Sequence, residues 1–284
     1  MPSFAATLRA LAPTDELPEA AHLAVFHRMA ERVLHGVTVL VAGQPHRVTE
    51  LEVYWNSPDH PDTFTHGDTM QQEHGRWYFH RSGEVYRGGT YKGLDIAVGR
   101  EGAPAGLLIR GLERLADGQL IDGPCNCVDH ILTLTGHPTI AALVETFDRD
   151  VDEAPGSPLC VRVEPDTRPG SVHAGPRVGL TLKRGLLRER ARFLARPYRF
   201  LSEPARIKKG RAHIVLGMHR EGLSPEDIAR RSGSSLAQVQ RTLAQHQAGT
   251  TRDPAEFVRD LNADETCQLL GACEHFDRQA TTAS

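Results

Sequence analysis

Apolar residues recur at helical spacing over residues 15–35, where Leu17, Ala21, Leu23, Ala24, Phe26, Met29, Ala30 and Val33 form one stripe. That spacing predicts an amphipathic helix laid on a core. The period then shortens. Residues 37–41 and 46–55 have strand-like patterns, and Ala42-Gly43-Gln44-Pro45 between them has the composition of a turn, so together they predict a hairpin. Strand signals continue at 76–80, 94–98 and 105–112, separated by breaks at Gly83, at Gly88-Gly89 and between Gly99 and Gly106. Residues 141–147 read as helix, 159–163 and 178–182 as strands, and 152–157 and 164–175 as loops. The order is neither repetitive nor regularly β-α-β. The expectation is an α+β fold, a curved, barrel-like antiparallel sheet with helices at its margin.

After Pro204 the pattern turns helical. Residues 207–220, 224–232 and 235–245 predict three short helices, with Ser224 and Ser235 placed to cap the second and third. Ile228, Ala229, Val239 and Leu243 supply a small core. This spacing resembles a helix-turn-helix whose last helix offers Gln238, Gln240 and Arg241 to solvent, while a plain helical cap on the larger domain is the other reading. The division expected is a domain over residues 1–205 and a helical domain over 206–284, with one or two further helices around Phe257 and Leu269.

With 284 residues, 39% of them hydrophobic, the chain can bury a substantial core. No apolar run suggests a signal peptide or a membrane span, so the expected compartment is the cytoplasm. Five scattered cysteines (Cys125, Cys127, Cys160, Cys267 and Cys273) argue for thiols rather than a disulfide framework. The net charge of −3 is uneven: between residues 177 and 211 twelve Lys and Arg face only Glu189 and Glu203, a local excess of +10. Such asymmetry fits either a polyanion footprint or a salt-bridged surface.

On the strand 46–55, alternation puts Val48, Glu50, Glu52 and Tyr54 on one face and Arg47, Thr49, Leu51, Val53 and Trp55 on the other. The second face is the better core face, so spacing alone leaves the two glutamates open to being solvated or catalytic. Two metal readings arise. Cys125-Asn126-Cys127 with His130 lacks the usual zinc-ligand spacing, and His60, His66, His74 and His80 with Asp59, Asp62 and Asp68 read mainly as surface residues; no metal is expected. No Gly-x-Gly turn sits between strand and helix, so no nucleotide cofactor is indicated.

Several motifs occur in an order that resembles the alkyladenine (methylpurine) DNA glycosylase family. They are Ala30-Glu31-Arg32-Val33-Leu34-His35-Gly36, Arg47-Val48-Thr49-Glu50-Leu51-Glu52-Val53-Tyr54, Thr65-His66-Gly67, Gly93-Leu94-Asp95-Ile96, the segment from Gly106 through Arg110 to Glu113, Ile121-Asp122-Gly123-Pro124, and Arg196-Pro197-Tyr198-Arg199-Phe200. The resemblance spans roughly residues 22–204. It implies that Glu52 activates water, that Arg110 acts beside it, and that Tyr54, His66 and Asp95 line a base pocket. Asp95 stands where the family usually has asparagine. Residues 77–94 are longer than their counterpart in that family, and Tyr86 or Tyr91 takes the place of its stacking and intercalating tyrosines.

The resemblance further implies a monofunctional, cofactor-free, metal-free enzyme that flips a damaged or modified base out of double-stranded DNA and hydrolyses its N-glycosidic bond. Arg87, Lys92, Lys208, Lys209 and Arg211 are the expected backbone contacts, and a monomer is expected. Lys92 as a Schiff-base nucleophile would instead give a bifunctional enzyme. The excised base is an alkylated or deaminated purine, as in repair, or a modified base of foreign DNA. The alternative from another class is a non-enzymatic regulator that reads DNA through residues 224–245.

Overall fold

A computed structural model describes residues 2–13 and 17–282. The fold is α+β, and the chain parts into two compact units: one of residues 1–60 and 65–172, the other of residues 61–64 and 173–284. The change of composition at 205/206 therefore lies inside the second unit.

The first unit is built on an antiparallel sheet. Its ladder runs Leu159–Val163, Val37–Val41, Gln44–Ser57, Ala105–Arg114, Leu94–Ala97 and Arg76–Phe79, with Leu120–Asp122 added beside Ala105–Arg114. It does not close into a barrel. Between its two outer strands lies the irregular segment 149–151: Trp77 N–H donates to Arg149 C=O (2.7 Å), and Val161 N–H donates to Val151 C=O (2.6 Å). That segment satisfies edge groups which would otherwise be free to pair with another chain.

One face of this sheet is apolar, with Leu51, Val53, Trp55, Leu107, Ile109, Ile96 and Trp77 buried. Helix His22–His35 packs on it, its Phe26 ring 6.2 Å from Trp55. The helix is shorter than the apolar stripe because Pro18 holds Leu17 out of helical geometry; Glu19–Ala21 forms a single 3-10 turn first. Residue 15, the predicted start, lies outside the described residues. Helix Pro124–Thr135, which the sequence reading lacks, starts with proline at its first turn and ends at Gly136 in the left-handed region.

The second unit is mainly helical, with helices Leu187–Leu194, Arg211–Arg220, Pro225–Ser232, Leu236–Gly249 and Ala263–Thr282 beside a small ladder of His173–Gly175 and Arg199–Leu201. Ser224 and Ser235 cap their helices as expected, accepting from Asp227 N–H and Gln238 N–H. Residues 178–182 are not a strand. Gly179 has φ +81°, and Leu182, with Leu180 partly buried, joins an apolar cluster with Ala191, Leu194, Leu216 and Leu270. Side-chain burial, rather than strand pairing, accounts for their alternation.

Candidate active site

The long strand Gln44–Ser57 and its neighbour Ala105–Arg114 pair in regular register except at Thr49 and Arg110. Val48 faces Leu112, Glu50 faces Gly111, and Leu51 faces Ile109. Each strand thus carries one extra residue, and paired bulges of this kind re-aim the side chains next to them. Arg110 Nε lies 2.7 Å from Glu50 Oε1 and 3.3 Å from Glu52 Oε1. Tyr54 donates its hydroxyl to Glu52 Oε2 at 2.8 Å.

The two carboxylates are not a solvated strand face: Glu50 and Glu52 are each 0% exposed. Buried charge persists only where it is paired and hydrogen-bonded, and Arg110 supplies the pairing. Burial works against the guanidinium's charge, but Glu52 and then Glu50 outweigh it and raise the Arg110 pKa above its ordinary value. Arg110 thus meets both glutamates of the neighbouring strand.

The same face carries a second polar cluster. Glu52 pairs with Leu108, Leu108 with Asp95, and Asp95 with Tyr78, so one row of side chains crosses four adjacent strands. Two inter-strand spacings separate Glu52 from Asp95, roughly 10 Å. Asp95 is buried, and its oxygens accept from Gln71 Nε2 (3.1 Å) and meet His80 Nε2 (2.7 Å). Gly106 makes room for it: a Cβ there would lie 2.3 Å from Asp95 Oδ2.

His66 joins from the loop before the outer strand, its ring 4.4 Å from that of His80 and its Nδ1 3.3 Å from the Tyr78 hydroxyl. Its edge stays open to solvent, yet desolvation in this crowded cluster, followed by His80 and Arg87, pushes its pKa down to about 4. Burial, then Asp68 and Asp95, raise that of Tyr78. Arg81 grips Asp68 with two hydrogen bonds of 2.6 and 3.0 Å, closing the cluster's outer side.

Glu52, Arg110 and Tyr54 therefore meet directly, and Asp95 and His66 meet through His80. His80, Gln71 and Tyr78 escaped the sequence reading as pocket residues. Tyr78 and His80 stand two apart at the end of a strand-like run, which is the signal that could have placed both beside Asp95.

Tyr86 and Tyr91 belong to neither cluster. Tyr86 ends the short ribbon Arg81–Ser82/Val85–Tyr86, while Tyr91 and Val85 are exposed large apolar side chains. A groove of about 530 Å³ runs here, lined by Tyr86, Arg87, Lys92, Leu132, Ile140 and neighbouring residues. Arg87 donates to Arg81 C=O, and Lys92 pairs with Asp129.

The basic run is largely built into the second unit. Arg177 is fully buried, pairing with Asp62 at 2.6 Å, and Arg199 is fully buried with donors to Gly210 C=O and Lys209 C=O. Arg196 pairs with Asp277, Arg206 with Glu203 and Lys183 with Asp260. Arg211 donates to Pro204 C=O and Ala205 C=O, while Lys208 and Lys209 are exposed. The +10 excess thus overstates the charge this stretch offers to a polyanion. On helix Leu236–Gly249, Gln238 and Gln240 face solvent, but Arg241 pairs with Asp264 at 2.6 Å.

Neither metal grouping assembles, and no cluster of three or more His, Cys, Asp or Glu suited to a metal occurs among the described residues. His130 Nε2 turns to His46 Nε2 (2.9 Å), Cys125 to Gly89 C=O and Cys127 to Ile121 C=O. Burial, then Glu50, raise the Cys127 thiol pKa. Among the described residues, no helix is long and apolar enough to cross a membrane.

No protein-family model matches the chain. Over 198 residues, 65% of this chain and 88% of the relative, it is 28% identical to an uncharacterized protein of Acanthamoeba polyphaga mimivirus.

Proposed function

We propose that the chain is a monofunctional DNA glycosylase that hydrolyses the N-glycosidic bond of a damaged or modified base flipped from double-stranded DNA. The observation that carries this reading is the fully buried Glu52, held between Arg110 Nε and the Tyr54 hydroxyl. Breaking the bond develops positive charge on the sugar, and a fixed carboxylate both stabilises that charge and takes a proton from the attacking water. Arg110 and Tyr54 fix the carboxylate's orientation, so little reorganisation accompanies the reaction.

Extruding a base costs a few kcal/mol, which contacts to the emptied duplex must offset. Exposed Tyr91 and Val85, with Arg87 and Lys92 beside them, supply apolar side chains and cations for that purpose. Lys92 lies in the groove near Tyr86 and pairs with Asp129, which favours water over lysine as the nucleophile. The test is mass spectrometry of bases freed from a panel of alkylated, deaminated and hypermodified duplexes; this reading expects one class to be released with an abasic site left behind.

A second reading rests on exposed Gln238 and Gln240 on helix Leu236–Gly249: a regulator that reads DNA and releases no base. The same panel separates the two.

A further inference from the structure

Loss of a base from deoxyribose needs help at both ends of the scissile bond. At the sugar, a carboxylate meets water and developing positive charge. At the base, a ring nitrogen must carry the electron pair of the broken bond. A cationic base, alkylated on a ring nitrogen, leaves as a neutral molecule unaided; a neutral base leaves as an anion unless it is protonated. The Glu52 cluster addresses the first end alone.

The second polar cluster is built for the other. The carboxylate of Asp95 meets His80 Nε2 at 2.7 Å and accepts from Gln71 at 3.1 Å, an arrangement that fixes the orientation of the imidazole. Two glycines keep the pair in place. The missing side chain of Gly106 leaves space for the Asp95 carboxylate, and that of Gly93 for the His80 ring, whose Nδ1 would lie 2.4 Å from a Cβ there. Nδ1 makes no hydrogen bond among the described residues, so the Asp95 contact leaves this second ring nitrogen available to a ligand. The Glu52 and Asp95 strand positions lie roughly 10 Å apart on the same face of the sheet.

We propose that His80, positioned by Asp95, is the proton donor to the leaving base, and that the enzyme is thereby suited to neutral rather than cationic bases. The proposal rests on the glycosylase reading. In the step, water oxygen bonds to C1′ while Glu52 takes a water proton, the C1′–N bond breaks, and its electron pair stays on the base. The His80 Nδ1 proton passes to the base, which leaves neutral. His80 ends uncharged beside the Asp95 carboxylate, and solvent returns the proton from Glu52.

Charged and titratable groups from several elements surround His80. Asp95 lies on the neighbouring strand, His66 and Asp68 on the preceding loop, Tyr78 on the same strand, and Arg81 and Arg87 on the adjoining ribbon.

The experiment is single-turnover base release from two duplexes, one carrying hypoxanthine and one N7-methylguanine, over a range of pH. His80→Asn should lower hypoxanthine release by about 100-fold more than N7-methylguanine release, in line with the usual size of a general-acid contribution. Asp95→Asn, which retains the imidazole, should move the alkaline limb of the hypoxanthine profile to lower pH. Glu52→Gln should remove both releases. Equal losses on the two duplexes with His80→Asn, or an unmoved alkaline limb with Asp95→Asn, would overturn the donor role while leaving the glycosylase reading intact. Should His80→Asn melt far below the wild type, the Asp95→Asn profile alone decides. Release that survives Glu52→Gln at the wild-type rate overturns the glycosylase reading, and the donor role with it.

Discussion

Replacing Arg110 by methionine removes the cation from a buried cluster and leaves the Glu50 and Glu52 side chains in place. Arg110 is 6% exposed and the two carboxylates 0%, with Nε at 2.7 and 3.3 Å. Solvent therefore cannot substitute for the lost charge, and removing one partner of a buried ion pair costs about 3–5 kcal/mol. Methionine matches much of the aliphatic stem, so little of that loss comes from packing. Both tryptophans, Trp55 and Trp77, lie buried in the first unit. Urea denaturation followed by tryptophan fluorescence thus reads this unit by itself. The expected result is a midpoint shift worth about 3–5 kcal/mol for Arg110→Met, of which Glu50→Gln in the same chain restores a part. A loss below about 1 kcal/mol, the range of an exposed pair, would refute the claim that the cluster is a desolvated, mutually dependent unit.

Two further outcomes follow from the geometry. His46 donates Nδ1–H to Gln44 C=O, which leaves its Nε2 to accept from His130, and burial first lowers both pKa values below 6.5. The stability they contribute is whole above about pH 6.5 and is lost as pH falls through the lowered values; tryptophan-monitored unfolding should show the first unit weakening on acidification, and His130→Gln should flatten that slope, an unchanged slope counting against the pair. In the second unit, Arg177→Met should cost about 3–5 kcal/mol because Asp62 is left buried without its guanidinium. Hydrogen exchange in helix Leu187–Leu194, whose Phe193 C=O also accepts from Arg177, should rise correspondingly, and unaltered protection would contradict the assignment.

The sheet was legible because its strands obey a short period and carry their own punctuation. Residues 37–41 and 159–163 emerge with the bounds their apolar runs suggest, and Ser224 and Ser235 cap as their positions promise. Helix Pro124–Thr135 carries a proline at its start and a glycine after its end, both helix signals, while the thiols within it also fit a metal reading. The misplaced strand at 178–182 shows alternation satisfied by side-chain burial instead of backbone pairing.

At the site, alternation put Glu50, Glu52 and Tyr54 together but left their face open to being solvated or catalytic. What buries that face is distant in sequence: Arg110 arrives from another strand through a bulge that no local pattern encodes. His80 stands in the sequence among His60, His66 and His74, and what sets it apart is the fold, which brings it 2.7 Å from Asp95. The basic run erred in the opposite direction, because formal charge counts Arg177 and Arg199 although both are buried.

The central claim is that Glu52 performs the chemistry while the DNA is held by other residues. The direct measurement is abasic-site formation by wild type and Glu52→Gln on the released-base substrate, with duplex binding measured on the same samples. The account predicts retained binding and a loss of abasic sites to background in the variant. Abasic sites forming at the wild-type rate with Glu52→Gln would contradict it.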